Sequence, residues 1–233
     1  MTRPHRDPDP AARGGGGKRA ARTGAAVALV AAAVCYASWL LAPVLNPGLR
    51  PVRSYLSELA ARDQPYHLVF QLGDVTTGLC ATAAGLLLAR VAREVPRPAW
   101  WGLLVFGVAT AVDGGWTSMD CAPSIDDRCA RLEELGELSW RHQAHTVTSS
   151  VAVAGALLSA VAVLAVLRGP ARRRAGLSVA VVLAVGTVGT LVATLHPEWG
   201  LGLWQRVQLA GLSGWLLLTA AVARWGPGPE RQR

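Results

Sequence analysis

The chain of 233 residues is 52% hydrophobic and only 16% charged, with a mean hydropathy of +0.31. A soluble domain of this length carries nearer a quarter charged residues, so an ordinary soluble globular protein is excluded. The net charge of +8 would suit nucleic acid only if it formed one exposed patch; the arginines instead fall in short clusters between apolar runs, which excludes that class.

In chain order, residues 1–22 are rich in Pro, Gly and Arg, have nothing to bury and read as a disordered basic tail. Six apolar segments follow, at about 24–45, 67–91, 99–119, 143–167, 175–195 and 205–224. Each is near the roughly 20 residues that a helix needs to cross a bilayer. The first is too long for a signal-peptide core and lacks a small-residue cleavage site, so it is expected to be retained, with Pro43 marking its end. No soluble domain remains once the spans are removed. The expected fold is all-α: one bundle of six transmembrane helices over residues 23–225, followed by a short tail, 226–233. Its first partner is the lipid bilayer. Seven tryptophans, among them Trp100, Trp140 and Trp204, fall at span ends, where a membrane-interface belt is expected.

Basic residues give an orientation. Lys18, Arg19 and Arg22 precede span one, Arg90, Arg93 and Arg97 lie between spans two and three, and "RGPARRR" joins spans four and five. Arg224, Arg231 and Arg233 close the chain. These are alternate connections, so the positive-inside rule puts both termini in the cytoplasm and the remaining loops outside. Lysine occurs once, at Lys18, against abundant Arg, Ala and Gly; that bias points to a GC-rich bacterial genome and hence to a bacterial cytoplasmic membrane.

The first outer loop contains "SYLSELAARDQ", which can form an interfacial helix with Tyr55, Leu56 and Leu59 on one side and Glu58, Arg62 and Asp63 on the other. Ser54 and Ser57 have no "GxSxG"-type context that would make them nucleophiles. Cys35 and Cys80 lie inside spans and read as packing residues. Cys121 and Cys129, in "DCAPSIDDRC", lie in the second outer loop, where oxidising conditions favour a disulfide. A zinc site with His142 and His145 is the alternative, but neither pair has the usual structural spacing.

Polar residues form stripes. His67, Gln71 and Asp74 share one face of span two; Asp113, Thr117 and Asp120 repeat that spacing in span three. His142, His145 and Ser149 share a face of span four. Span five ends with His196 and Glu198, and span six begins with Gln205, Arg206 and Gln208, where Arg206 can reach Glu198 or Asp120. On the expected topology all of them fall in the outer half of the bilayer. Asp74 lies seven residues below His67, roughly 10 Å at 1.5 Å per residue. A carboxylate there is costly unless paired, protonated or hydrated, so it faces a bundle interior or cavity.

Three readings of this cluster stay open. It is a structural network, or a metal-dependent hydrolase acting on a lipid or lipid-linked substrate, or a proton-coupled transporter; beyond the bilayer, the expected partner is a lipid or small-molecule substrate. In the second, His142, His145 and His196 bind zinc or another divalent metal, with Asp74 or Asp113 as fourth ligand or catalytic base. Small residues such as Gly186, Gly189, Gly211 and Gly214 read as close helix contacts.

The segments "SYLSELAARDQP", "QLGDVTTG", "DGGWTSMDCAPSIDDRC" and "HQAHTVTSS" together make the chain resemble the domain of unknown function 998 family of bacterial six-helix membrane proteins, over nearly all of residues 24–225. That resemblance implies a multi-pass membrane protein and brings no catalytic residues. A looser similarity, of chemistry only, is to seven-span membrane hydrolases of the alkaline ceramidase and progestin-receptor type, which place Ser, Asp and three His around a metal.

Overall fold

The computed structural model describes residues 10–92 and 94–226. Among them all regular structure is helical: α1 (Pro10–Tyr36), α2 (Ala42–Leu45), α3 (His67–Val91), α4 (Arg97–Gly115), α5 (Asp127–Glu134), α6 (Trp140–Val166), α7 (Pro170–Leu195) and α8 (Leu201–Trp225). Short 3₁₀ turns lie at Ala37–Leu41, Ser57–Ala60 and Pro197–Trp199. Five stretches are long and apolar enough to cross a membrane: Gly16–Leu45, α3, α6, α7 and α8. The segment expected at 99–119 forms α4, which falls outside that set. Its 19 residues include the charged Arg97 and Asp113, Pro98 and four glycines, which lower its mean hydropathy over so short a length.

The expected tail is corrected in part. Residues 1–9 lie outside the described residues, as do 227–233 at the other terminus, but Pro10–Arg22 belongs to α1. Extending a helix from an already formed span needs no new nucleus, and Lys18, Arg19, Ala20, Ala21 and Arg22 are good helix formers.

The long helices run alternately up and down. α1 packs on α3 and α8, α3 on α4, α4 on α6, and α7 on α8; α6 touches α7 and α8 only lightly. Lipid tails are as apolar as leucine, so close packing rather than water exclusion has to hold such helices together. Small residues allow it. Gly78 of α3 lies against Gly107 and Ala111 of α4, and Gly102 of α4 against Gly155 and Ser159 of α6. Gly211 of α8 lies on the backbone of Leu183 in α7, and Gly186 on that of Gln208, as their small size suggested. The shared core holds Leu29, Leu88, Leu103, Phe106, Val163, Leu212, Trp215 and Leu216, each at most 2% exposed. Cys35 and Cys80 are free and half-buried.

The two ends of the bundle differ. At one, Arg22 makes an ion pair with Glu94, and Arg172 Nη1 donates to the carbonyl of Gly226 at 3.0 Å. The start of α1, the α3–α4 and α6–α7 connections and the end of α8 therefore meet there. At the other end, the 46–66 and 116–139 loops pack on one another and carry a second small apolar cluster that includes Leu49, Leu56, Leu59, Phe70 and Ala122.

Candidate functional site

Under those loops, α1, α3, α4, α6 and α8 enclose a cavity of about 130 Å³. α3 contributes Asp74, α4 contributes Thr110 and Asp113, α6 contributes His145 and Ser149, and α8 contributes Gln205 and Gln208. Four of the predicted stripes thus meet, through Asp74, Asp113, His145 with Ser149, and Gln205 with Gln208. Gly114 makes this meeting possible. A methyl group there would come within 2.7 Å of Asp74 Cβ and 2.8 Å of the Gln71 carbonyl, so only glycine lets α4 carry Asp113 alongside Asp74.

His145 and Asp113 form a dyad. Nδ1 of His145 lies 2.9 Å from Asp113 Oδ1. The same oxygen accepts from Thr117 Oγ1 at 3.0 Å and from Thr148 Oγ1, and the two threonine hydroxyls are 2.9 Å apart. With Nδ1–H donated to a carboxylate, Nε2 is left as the basic nitrogen, and it makes no hydrogen bond to the described residues. Asp74 is different. Its carboxylate makes no hydrogen bond or ion pair among the described residues, although it lines the same cavity. Among the described residues no lysine or arginine lines the cavity.

Aromatic rings lead from the cavity wall into the core. Tyr36 in the wall meets Phe106 edge-on at 5.6 Å, and Phe106 meets Trp215 edge-on at 5.1 Å. Phe106 and Trp215 are fully buried, and Leu212 lies beside them.

The roof is an interlocked cap. Glu58 is fully buried, with Oε1 accepting from Ser124 N at 2.8 Å and Oε2 from Ser124 Oγ at 2.5 Å. Ser54 Oγ lies 2.7 Å from Ser124 Oγ and accepts from Arg50 N at 2.9 Å. Asp63 Oδ2 accepts from Ala122 N at 3.2 Å, and Arg62 N donates to the Met119 carbonyl at 3.0 Å. The disulfide Cys121–Cys129 is present and flanks Ala122 and Ser124, the two anchor points of this clasp. Burial pushes the Glu58 carboxyl above its usual range, against the two Ser124 donors that favour the charged form. Burial, with Glu133 and Glu58 nearby, likewise pushes the Tyr55 phenol up to about 12.

This corrects the expected interfacial helix. Ser57–Ala60 is one 3₁₀ turn, and Glu58 points inward, because Ser124 of the second loop supplies the donors that a buried carboxylate needs. The metal ligands expected from the histidines also part company. His142 is 5% exposed, takes Asp120 N–H on Nδ1 at 3.2 Å and reaches Glu133 Oε1 with Nε2 at 3.1 Å. His196 ends the peripheral helix α7, where it stacks on Trp199 at 4.6 Å and lies 3.4 Å from Glu198. Among the described residues, no three His, Cys, Asp or Glu side chains are grouped to hold a metal ion.

The other stripe residues hold backbone in place. His67 Nδ1 lies 2.7 Å from the Gln64 carbonyl, and Gln71 Nε2 donates to that of Ala60 at 2.8 Å. Asp120 receives Ser139 N and Oγ, both at 2.9 Å, ahead of α6. Arg206 reaches neither Glu198 nor Asp120; it donates to the carbonyls of Pro51 and Gly202. Sequence reasoning missed Glu58, Tyr36, Trp39, Thr110 and Thr148. Only Thr148 carried a signal, three residues after His145 on the same helical face.

The fold and the site define a multi-helix membrane protein with an acidic His/Asp pocket near one end of its bundle. The chain belongs to the family described as "Protein of unknown function (DUF998)", which matches residues 29–222. No curated protein and no solved structure matches it.

Proposed function

We propose that the chain is a six-span protein of a bacterial cytoplasmic membrane, with both termini cytoplasmic and the Asp74/Asp113/His145 pocket opening to the extracytoplasmic side. In this reading α4 is the remaining span, as expected of a helix packed between α3 and α6. In the pocket, His145, held by Asp113, exchanges a proton with a small polar molecule that enters from outside. One observation carries this: an Asp–His pair whose Nε2 is unused stands in the wall of a cavity. An imidazole held at Nδ1 by a carboxylate is fixed in tautomer and orientation, which is what a general base requires. The distribution of charge supports the orientation, since the basic clusters gather at the end opposite the disulfide. Tyr36, Phe106 and Trp215, packed edge-on from the cavity wall into the core, favour a blind pocket over a conduit.

The test is accessibility. In a background with Cys35 and Cys80 replaced by alanine, Ser149→Cys should react with a membrane-impermeant thiosulfonate added outside spheroplasts. It should not react when the reagent is confined to the cytoplasmic face. Reaction only from the cytoplasmic face, or from neither, overturns the reading.

A further inference from the structure

We infer that this pocket selects a small protonated amine that also carries a neutral oxygen acceptor, an amino alcohol in the simplest case. The inference rests on the reading above, that the pocket opens outward. Charge sets the first requirement. Two carboxylates and the His145 imidazole face the space, and among the described residues no lysine or arginine does. Asp113 is occupied by His145, Thr117 and Thr148, whereas Asp74 has no partner among the described residues. A carboxylate at this depth is stabilised by a cation seated against it. An anionic ligand would face both aspartates, and a neutral one would leave Asp74 unpaired.

Two further groups set the second requirement. Thr110 is 4% exposed, and its Oγ1 has no hydrogen-bond partner. Trp39 Nε1 is buried and equally unpartnered. Both residues line the cavity. An indole N–H can only donate, so a molecule that satisfies it presents an acceptor. Buried polar atoms in folded proteins are otherwise almost always paired. The rings of Tyr36 and Trp39 add the faces on which an ammonium group is attracted. A divalent metal fits less well, because Asp74, Asp113 and His145 line one cavity without being grouped to hold a single ion. A cavity of about 130 Å³ suits a molecule of a few heavy atoms, or the head of a larger one.

That amine can be free in solution or be the headgroup of a lipid such as phosphatidylethanolamine. The experiment uses the purified full chain with calorimetric titration of ethanolamine at neutral pH, alongside ethylene glycol and glycolate. Ethanolamine should bind saturably and the other two should not. Asp74→Asn should weaken binding by about tenfold or more, the scale of one charge-assisted hydrogen bond. Thr110→Val should weaken it less. Should Asp74→Asn fail to fold, protection of Ser149→Cys by ethanolamine against the thiosulfonate gives the same answer in an otherwise intact pocket. Slow labelling in phosphatidylethanolamine vesicles, relieved in phosphatidylcholine vesicles, assigns the lipid headgroup; protection only by added ethanolamine assigns the free amine. Ser149→Cys that labels from outside, with no saturable ethanolamine binding and no protection, overturns the inference and leaves the outward-facing pocket standing. Equal binding of ethylene glycol, or full affinity in a folded Asp74→Asn variant, overturns it too.

Discussion

Glu58→Ala removes the central tie of the cap. The carboxylate holds Ser124 through its amide at 2.8 Å and its hydroxyl at 2.5 Å, and it is fully buried. The hydroxyl keeps Ser54 as a neighbour, but the amide is orphaned, at a cost of about 1–3 kcal/mol. Losing the one buried methylene that alanine lacks adds about 0.8 kcal/mol. Against this stands the relief of no longer burying a charge, so a net loss of about 2 kcal/mol is expected. At 1.4 kcal/mol per factor of ten, local opening should rise about thirtyfold. Hydrogen exchange of the peptide Met119–Asp126 in detergent is the assay. Glu58→Gln keeps an acceptor for the Ser124 amide and should lose less than about 1 kcal/mol. Unchanged protection in Glu58→Ala, or a greater loss in Glu58→Gln, would refute the reasoning.

The same carboxyl gives a pH dependence. Burial raises its pKa in the folded protein, so its contribution is fully present below the unfolded value of about 4.3 and is lost as pH rises through the folded value. Cap protection should therefore increase on acidification from neutral pH, and Glu58→Gln should flatten the profile; an unchanged slope would assign the effect to another group. Reducing Cys121–Cys129, which closes a loop across a separation of 8 residues, should weaken the cap by up to about 2.5 kcal/mol. Maleimide should label these cysteines only after reduction. Gly102→Ala places a methyl 2.7 Å from Ser159 N, on backbone that cannot easily shift. It should destabilise the bundle by about 1–3 kcal/mol in denaturant titrations of the detergent-solubilised protein, and no change would mean α4 and α6 pack less closely. Trp215→Ala empties the core beside Phe106 and should cost about 3–5 kcal/mol in the same titrations.

The helices were the legible part, because uninterrupted apolar runs admit few other structures. The segment predicted at 67–91 is the helix His67–Val91, and Pro170 and Gly200 stand where α7 and α8 begin. The juxtaposition of Asp74 with Asp113 was legible only as two stripes, since their meeting depends on Gly114 and on which helices are neighbours. His196 misled for that reason. It is expected in the same outer half as His145, but α7 packs chiefly on α8 and no described residue of α7 lines the cavity. His142 misled differently: one helical turn from His145, it faces the α5 loop and bonds Glu133. Glu58 could not be read at all. A lone acid in a polar loop looks solvated, and its inward turn depends on Ser124, 66 residues away.

The disulfide bears on when the molecule becomes complete. Cys121 and Cys129 bracket Ala122 and Ser124, the residues that Asp63 and Glu58 grip. On the proposed topology, these thiols meet an oxidising compartment only after the second outer loop has crossed the membrane. The helices can insert and pack before that. The roof of the pocket would then be a product of maturation, fastened after export, and newly inserted chains would carry an unroofed site for as long as oxidation takes.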